Sequence, residues 1–180
     1  MDAIYSLDRK EGLERSLDLW GDLGLTQEWA TRAIQPYGRD ENSGTRAFFK
    51  ERVLRKGEFK SVVKPVMDQF ALVEAAAMDA SAIAYGPIQH SVRMVKAVPI
   101  IDYRGMSAIL PTVQNVLNGK YPLARFLYIY LNIPPGQPCD PLAKEFIRFI
   151  LSQQGQADVA NFGAVPLPAD LAALNLSKLK

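Results

Sequence analysis

The sequence predicts a layered α/β protein, and three observations carry that prediction. Short apolar segments, Ala33–Tyr37, Ala82–Tyr85 and Phe126–Leu131, have the composition of buried strands. Other stretches place apolar residues at helical spacing, as Phe70, Leu72, Val73, Ala76 and Ala77 do. Glycine and small polar residues punctuate the junctions, at Gly38, Ser43 and Gly86 among others. Helices alternating with short apolar strands form α/β layers because each element must bury one face on another.

Taken in order, Ala3–Leu25 reads as helical with breaks, with Leu13, Leu17 and Trp20 on one face and Gly21 and Gly24 ending the run. Trp29 falls at a helix start or in a packed loop, and both tryptophans read as core anchors. A helix follows Ser43-Gly44-Thr45, carrying Ala47, Phe48, Phe49, Val53 and Leu54, and Arg55-Lys56-Gly57 closes it. Val62, Val63 and Val66 make a short apolar run interrupted at Pro65, and Gln69–Met78 is an alanine-rich helix. Asp79-Ala80-Ser81 turns the chain into the strand Ala82–Tyr85, which Gly86-Pro87 ends.

Val92–Ile101 is β-rich, Asp102–Met106 loosens into a candidate boundary, and Pro111–Asn118 reads as a bridging helix. Phe126–Leu131 is the strongest strand signal in the chain. Asp140 caps and Pro141 opens a helix that turns Leu142, Phe146, Phe149 and Ile150 inward, with Gly155 near its end. A terminal helix runs through Leu171, Leu174 and Leu176.

At 180 residues the chain has room for one domain or two small lobes, and 48% hydrophobic residues supply a core. A net charge of +2 without a dense basic tract argues against nucleic acid as a partner. Cys139 is a bystander thiol, and with His90 as the single histidine no transition-metal site or cofactor site is expected. His90 itself reads as a surface or hydrogen-bonded residue. The start, Met1-Asp2-Ala3-Ile4-Tyr5, lacks a basic and an apolar signal region, and no stretch reaches the length of a membrane span.

Chemistry concentrates at Gly38–Thr45. The first N–H groups of a helix lack intrahelical partners, and the aligned peptide dipoles favour an anion in front of them. Ser43 and Thr45 add hydroxyl donors, Gly44 permits close backbone approach, and Arg39 offers a planar charged fork. The first turn holds Arg46 and no carboxylate. Those four residues form a candidate oxyanion cradle, although Ser43 equally suits a plain helix cap, and Asp40 and Glu41 bring opposing charge.

The order of segments resembles the later portion of phosphate-specific ABC transporter substrate-binding proteins, the periplasmic two-lobed flytrap family, over nearly the whole chain. The resemblance rests on Trp20-Gly21-Asp22-Leu23-Gly24-Leu25, Tyr37-Gly38-Arg39 with Ser43-Gly44-Thr45 and Phe48-Phe49-Lys50, and Ala82-Ile83-Ala84-Tyr85. Lys120-Tyr121-Pro122-Leu123-Ala124-Arg125 and Asp140-Pro141-Leu142, leading to Gly163 and Pro166-Leu167-Pro168, extend it. Gly86-Pro87-Ile88-Gln89-His90 departs from the glycine-rich segment usual there.

The resemblance implies a periplasmic-binding-protein-like α/β fold with one lobe nearly complete and the other partial. Residues 1–104 would carry the Ser-Gly-Thr turn, 105–120 would cross between lobes, and 121–180 would belong to the other lobe. It further implies that Arg39, Ser43, Gly44 and Thr45 bind phosphate or a similar tetrahedral oxyanion, without catalysis, for delivery to an ABC permease. In the family a segment preceding the position of Met1 carries the export signal, much of one lobe and further ligands. Without it, weak phosphate binding and association with itself or with that polypeptide are expected. A periplasmic or cell-envelope location is implied by the family, and a cytoplasmic one if the chain is made as written. The competing readings are a split-gene fragment acting as an interaction domain, and a phosphoryl-transfer enzyme using the same cradle.

Overall fold

The structure is a computed structural model that describes residues 1–10, 13–88, 94–101 and 107–179. It contains two compact units, Met1–Lys96 and Ala97–Lys180. No helix among the described residues is long and apolar enough to cross a membrane.

The first unit is built on three parallel strands, β1 (Gln35–Arg39), β2 (Lys64–Val66) and β3 (Ala82–Ala84), in the order β2-β1-β3. Register pairs Arg39 with Val66 on one side of β1 and Tyr37 with Ala84 on the other. Pro65 lies within β2, an edge strand, where a backbone donor is dispensable, and Val62 and Val63 precede the strand. Two helices make the parallel connections, α2 (Gly44–Arg52) from β1 to β2 and α3 (Gln69–Met78) from β2 to β3.

The core of this unit gathers Ala3, Ile4, Tyr5, Leu17, Ile34, Phe49, Leu54 and Val63, with Trp20, Phe59, Ile83 and Tyr85 packed against it. Its start is deeply built in. The short helix α1 (Asp2–Tyr5) buries all four residues, and the Tyr5 hydroxyl reaches the Tyr37 and Ile83 carbonyls at 3.2 and 2.9 Å, tying β1 to β3.

The helical reading of Ala3–Leu25 is corrected. Between α1 and β1 the described residues form two 3₁₀ turns, Trp20–Leu23 and Gln27–Trp29, and no α-helix, and Leu13 is 48% exposed. Side chains claim the backbone groups that a helix would need. The Asp22 carboxylate accepts the Asp18 and Leu19 amides at 3.1 and 2.9 Å. Lys60, 42 residues beyond Asp18, donates to the Ala3 carbonyl, the Ser16 hydroxyl and the Asp18 carboxylate. Gly21 permits a close crossing, since a Cβ there would meet the Ala30 carbonyl oxygen at 2.2 Å.

The second unit packs α5 (Pro141–Leu151) against α6 (Gln153–Asn161) and α7 (Ala169–Leu176), preceded by α4 (Val113–Leu117). Asp140 caps α5 with Pro141 in its first turn, as the sequence predicts, while Ser152 ends α5 and caps α6. Gly155 therefore sits in the first turn of α6 rather than ending α5. Gln156 fastens the unit, donating to the Ile150 carbonyl and accepting from the Leu167 amide at 2.8 and 2.6 Å.

Two expectations in this unit are overturned. Phe126–Leu131 forms no strand: a strand needs a neighbour for its N–H and C=O groups, and no described segment pairs with it. Leu127 and Tyr130 are consequently 80% and 88% exposed. On α5 it is Ile147 that is buried, whereas Leu142, Phe146 and Phe149 face outward. Of the β-rich reading 92–101, the described part contributes a single antiparallel bridge, Ile100 to Ile109. His90 and the candidate boundary 102–106 lie outside the described residues.

Candidate functional site

The three parallel strands all end on one edge, and that edge collects the polar chemistry. β1 stops at Arg39, and the chain turns through Asp40, whose carbonyl accepts the Ser43 amide at 3.2 Å and whose carboxylate accepts the Asn42 amide at 2.9 Å. The Asp40 carboxylate is therefore engaged within its own turn and not by the amides of α2. Glu41 is exposed.

Ser43 is the N-cap of α2, buried, with extended backbone. Its Oγ accepts from the Thr45 and Arg46 amides at 3.2 and 3.4 Å, so capping is its structural role here. The hydroxyl proton of Ser43 and that of Thr45 are additional donors beyond those bonds. At Gly44 a Cβ would meet nothing within 4 Å.

Arg39 leaves the end of β1 toward β2. Its Nε donates to the Val66 carbonyl at 3.2 Å and its NH2 to the Met67 carbonyl at 2.6 Å, while NH1 makes no hydrogen bond among the described residues. The structure thus groups Ser43, Gly44 and Thr45 in one turn immediately after Arg39, but bonds the guanidinium to the β2 end and not to that turn. Its guanidinium still reaches the same edge electrostatically, where Asp68 caps α3. The amides of Ala71 and Phe70, with a contribution from the Arg39 charge, hold the Asp68 carboxyl below its usual range.

At this edge the sequence gives Asp68 and Tyr85 no site role, and Arg46 stands out in it only because the first turn holds no carboxylate. Asp68 carried a legible signal, an acidic residue just before the helical run Gln69–Met78. Tyr85 did not, because its role depends on what folds beside it; for Arg46 the sequence placed the residue in the first turn but not its partners. The Tyr85 ring stacks on Phe49 with centroids 3.8 Å apart and lies against Gly38. Burial pushes its hydroxyl pKa upward, with Arg46 acting in the opposite direction. Among the described residues no three His, Cys, Asp or Glu side chains converge as a metal site would need.

Parallel strands with helices starting beyond their carboxyl ends are the arrangement in which α/β folds place ligand sites at the strand ends rather than within the sheet. The chain belongs to the PBP superfamily, whose domain model matches residues 13–154. It is 38% identical over 179 residues to the phosphate-binding protein PstS of Pseudomonas aeruginosa, covering 99% of this chain and 55% of that protein. Protein SphX of Synechococcus elongatus is 30% identical over 140 residues, 76% of this chain and 40% of that protein.

Among solved structures, a putative phosphate ABC transporter substrate-binding protein from Clostridium perfringens, with bound phosphate, superposes with a TM-score of 0.67 at 27% identity. That match covers 84% of this chain and 58% of the other. A possible phosphate binding protein from Planctomyces limnophilus shares the fold, with a TM-score of 0.63 at 20% identity over 98% of this chain and 60% of the other. The chain spans about half the length of the curated relatives it matches, 55% of the Pseudomonas protein.

Proposed function

We propose that this chain binds inorganic phosphate, as part of a substrate-binding protein that serves phosphate uptake through an ABC permease. The observation that carries the reading is the Ser43-Gly44-Thr45 turn at the end of the central strand, in a chain 38% identical along 99% of its length to a phosphate-binding protein. In this reading Ser43 and Thr45 donate their hydroxyl protons to phosphate oxygens and Gly44 lets the anion approach the backbone. Arg39, held at the sheet edge by two carbonyls, neutralises charge through its remaining N–H groups.

The role is binding and not catalysis. The relatives are named as binding proteins of transport, and a phosphoryl-transfer role gains no support from them. Residence outside the cytoplasmic membrane follows from the same reading.

Phosphorus-31 line broadening or calorimetry with the full chain tests this. Phosphate is expected to bind saturably. Thr45→Val and Arg39→Gln should each weaken it by about 10-fold or more, the scale of a hydrogen bond to a charged partner. Unchanged binding in both variants, or no binding by the native chain, would remove the assignment.

A further inference from the structure

Arg46 is a cation in the first turn of α2, where the helix dipole disfavours positive charge. Its direct partners are uncharged. NH1 donates to the Arg39 backbone carbonyl at 3.1 Å, and the guanidinium carbon sits 3.9 Å from the Phe59 ring centroid. The Tyr85 hydroxyl lies within its electrostatic reach, buried and without a hydrogen bond meeting normal geometry among the described residues. A carbonyl, an aromatic face and a phenol are all uncharged partners.

Two carboxylates lie nearby, and neither is bonded to Arg46. Glu41 and Glu58 line the same cleft of about 270 Å³ as Arg46, Ala47, Lys50 and Phe59. Glu58 pairs with Lys50 at 2.5 Å, and no carboxylate forms an ion pair with Arg46 among the described residues. The Arg46 side chain is thus fixed at the positive end of a helix, bonded to the carbonyl of the very residue, Arg39, whose own guanidinium stands at the sheet edge. A guanidinium held in the first turn of a helix without an ion-pair partner among the described residues adds to the positive potential of that helix start, which favours an anion there.

We propose that Arg46 is a positioning residue and second cation of the phosphate site: it raises the local positive potential and fixes the Arg39 backbone, without itself being required to touch the ligand. This rests on the phosphate-binding reading above. It assigns a role to a residue that the Ser43-Gly44-Thr45 turn and Arg39 leave unexplained. The charge is the operative feature, so lysine should substitute for much of its effect, whereas a neutral side chain of similar size should not.

The test is inorganic phosphate binding to the full chain at about 20 and about 200 mM sodium chloride, concentrations that bracket strong and weak screening. Arg46→Gln is expected to weaken binding roughly five-fold at low salt, a unit charge acting through a partly aqueous path, and to flatten the salt dependence. Arg46→Lys should retain affinity within about two-fold. If the native chain binds phosphate and Arg46→Gln matches it at both salts, this inference fails while the phosphate reading stands. If Arg46→Lys loses as much as Arg46→Gln, charge is not the operative feature and the inference is overturned. If the native chain binds no phosphate, the functional reading fails and takes this inference with it. Should circular dichroism show Arg46→Gln unfolded, the lysine variant and its salt dependence decide alone: a loss beyond about two-fold rejects the proposal.

Discussion

A methyl group at Gly38 would lie 2.8 Å from the Tyr85 hydroxyl and 3.1 Å from its ring, closer than packed atoms tolerate. Gly38→Ala is therefore expected to destabilise the fold by about 1–3 kcal/mol, the usual range for overpacking. Urea denaturation measures it, and Tyr85→Phe in the same background should recover part of the loss by removing the nearest atom. A second residue-scale prediction concerns Asp18, whose carboxyl is held below its ordinary pKa by hydrogen bonds from Lys60 first and Ser16 second. A lowered folded pKa gives stability that is present above the unfolded value, about 3.9, and is lost as pH falls through the folded one. Native protein should exceed Asp18→Asn in stability at pH 6 by under about 1 kcal/mol, because the carboxylate is largely solvated. The difference should shrink as pH falls below about 3.9 and through the lowered folded value; a gap that does not shrink on acidification would contradict the assignment. Lys60 shows why local reading failed at this end of the chain: it redirects Ala3, Ser16 and Asp18 from 42 or more positions away.

At the scale of the element, α2 raises the question of whether Ser43 is a cap or a ligand. It accepts two first-turn amides, which any cap would do, and a cap and a phosphate ligand share the same residue type. Substitution separates the roles. Ser43→Ala should lower stability by about 1 kcal/mol through the lost cap. Ser43→Asp should keep the cap and the melting temperature, yet abolish phosphate binding by placing a carboxylate where the anion belongs. A Ser43→Asp protein that still binds phosphate would leave only the capping role. The start of α2 was legible because a cap acts within one turn, and so was the Asp140-Pro141 start of α5. The apolar face of α5 was not: periodicity marks which residues share a side, but Ile147 rather than Phe146 meets the neighbouring helices.

Over the whole molecule, the second unit leaves large apolar side chains in water, from Phe126 to Tyr130 and at Leu142, Phe146 and Phe149. Exposed contiguous apolar surface binds hydrophobic dyes and promotes association. The chain should therefore bind anilinonaphthalene sulfonate and sediment as concentration-dependent assemblies. Leu127→Lys combined with Tyr130→Lys should reduce both, since neither side chain supports the packed core. A dye-silent monomer in its native sequence would show that this surface is covered in solution.

Sequence alone determined the elements whose cause lies within a few residues: the caps, the alanine-rich helix α3, the central strand β1 and the turn that follows it. These depend on backbone donors and side chains adjacent in the chain. Tertiary structure decided the rest. Whether Phe126–Leu131 pairs as a strand, which way the Arg39 guanidinium leaves the sheet, and that Arg46 and Tyr85 share the edge with it all depend on groups distant along the chain. A hydrogen bond needs its partner at about 3 Å, and no pattern along one chain states which distant partner arrives.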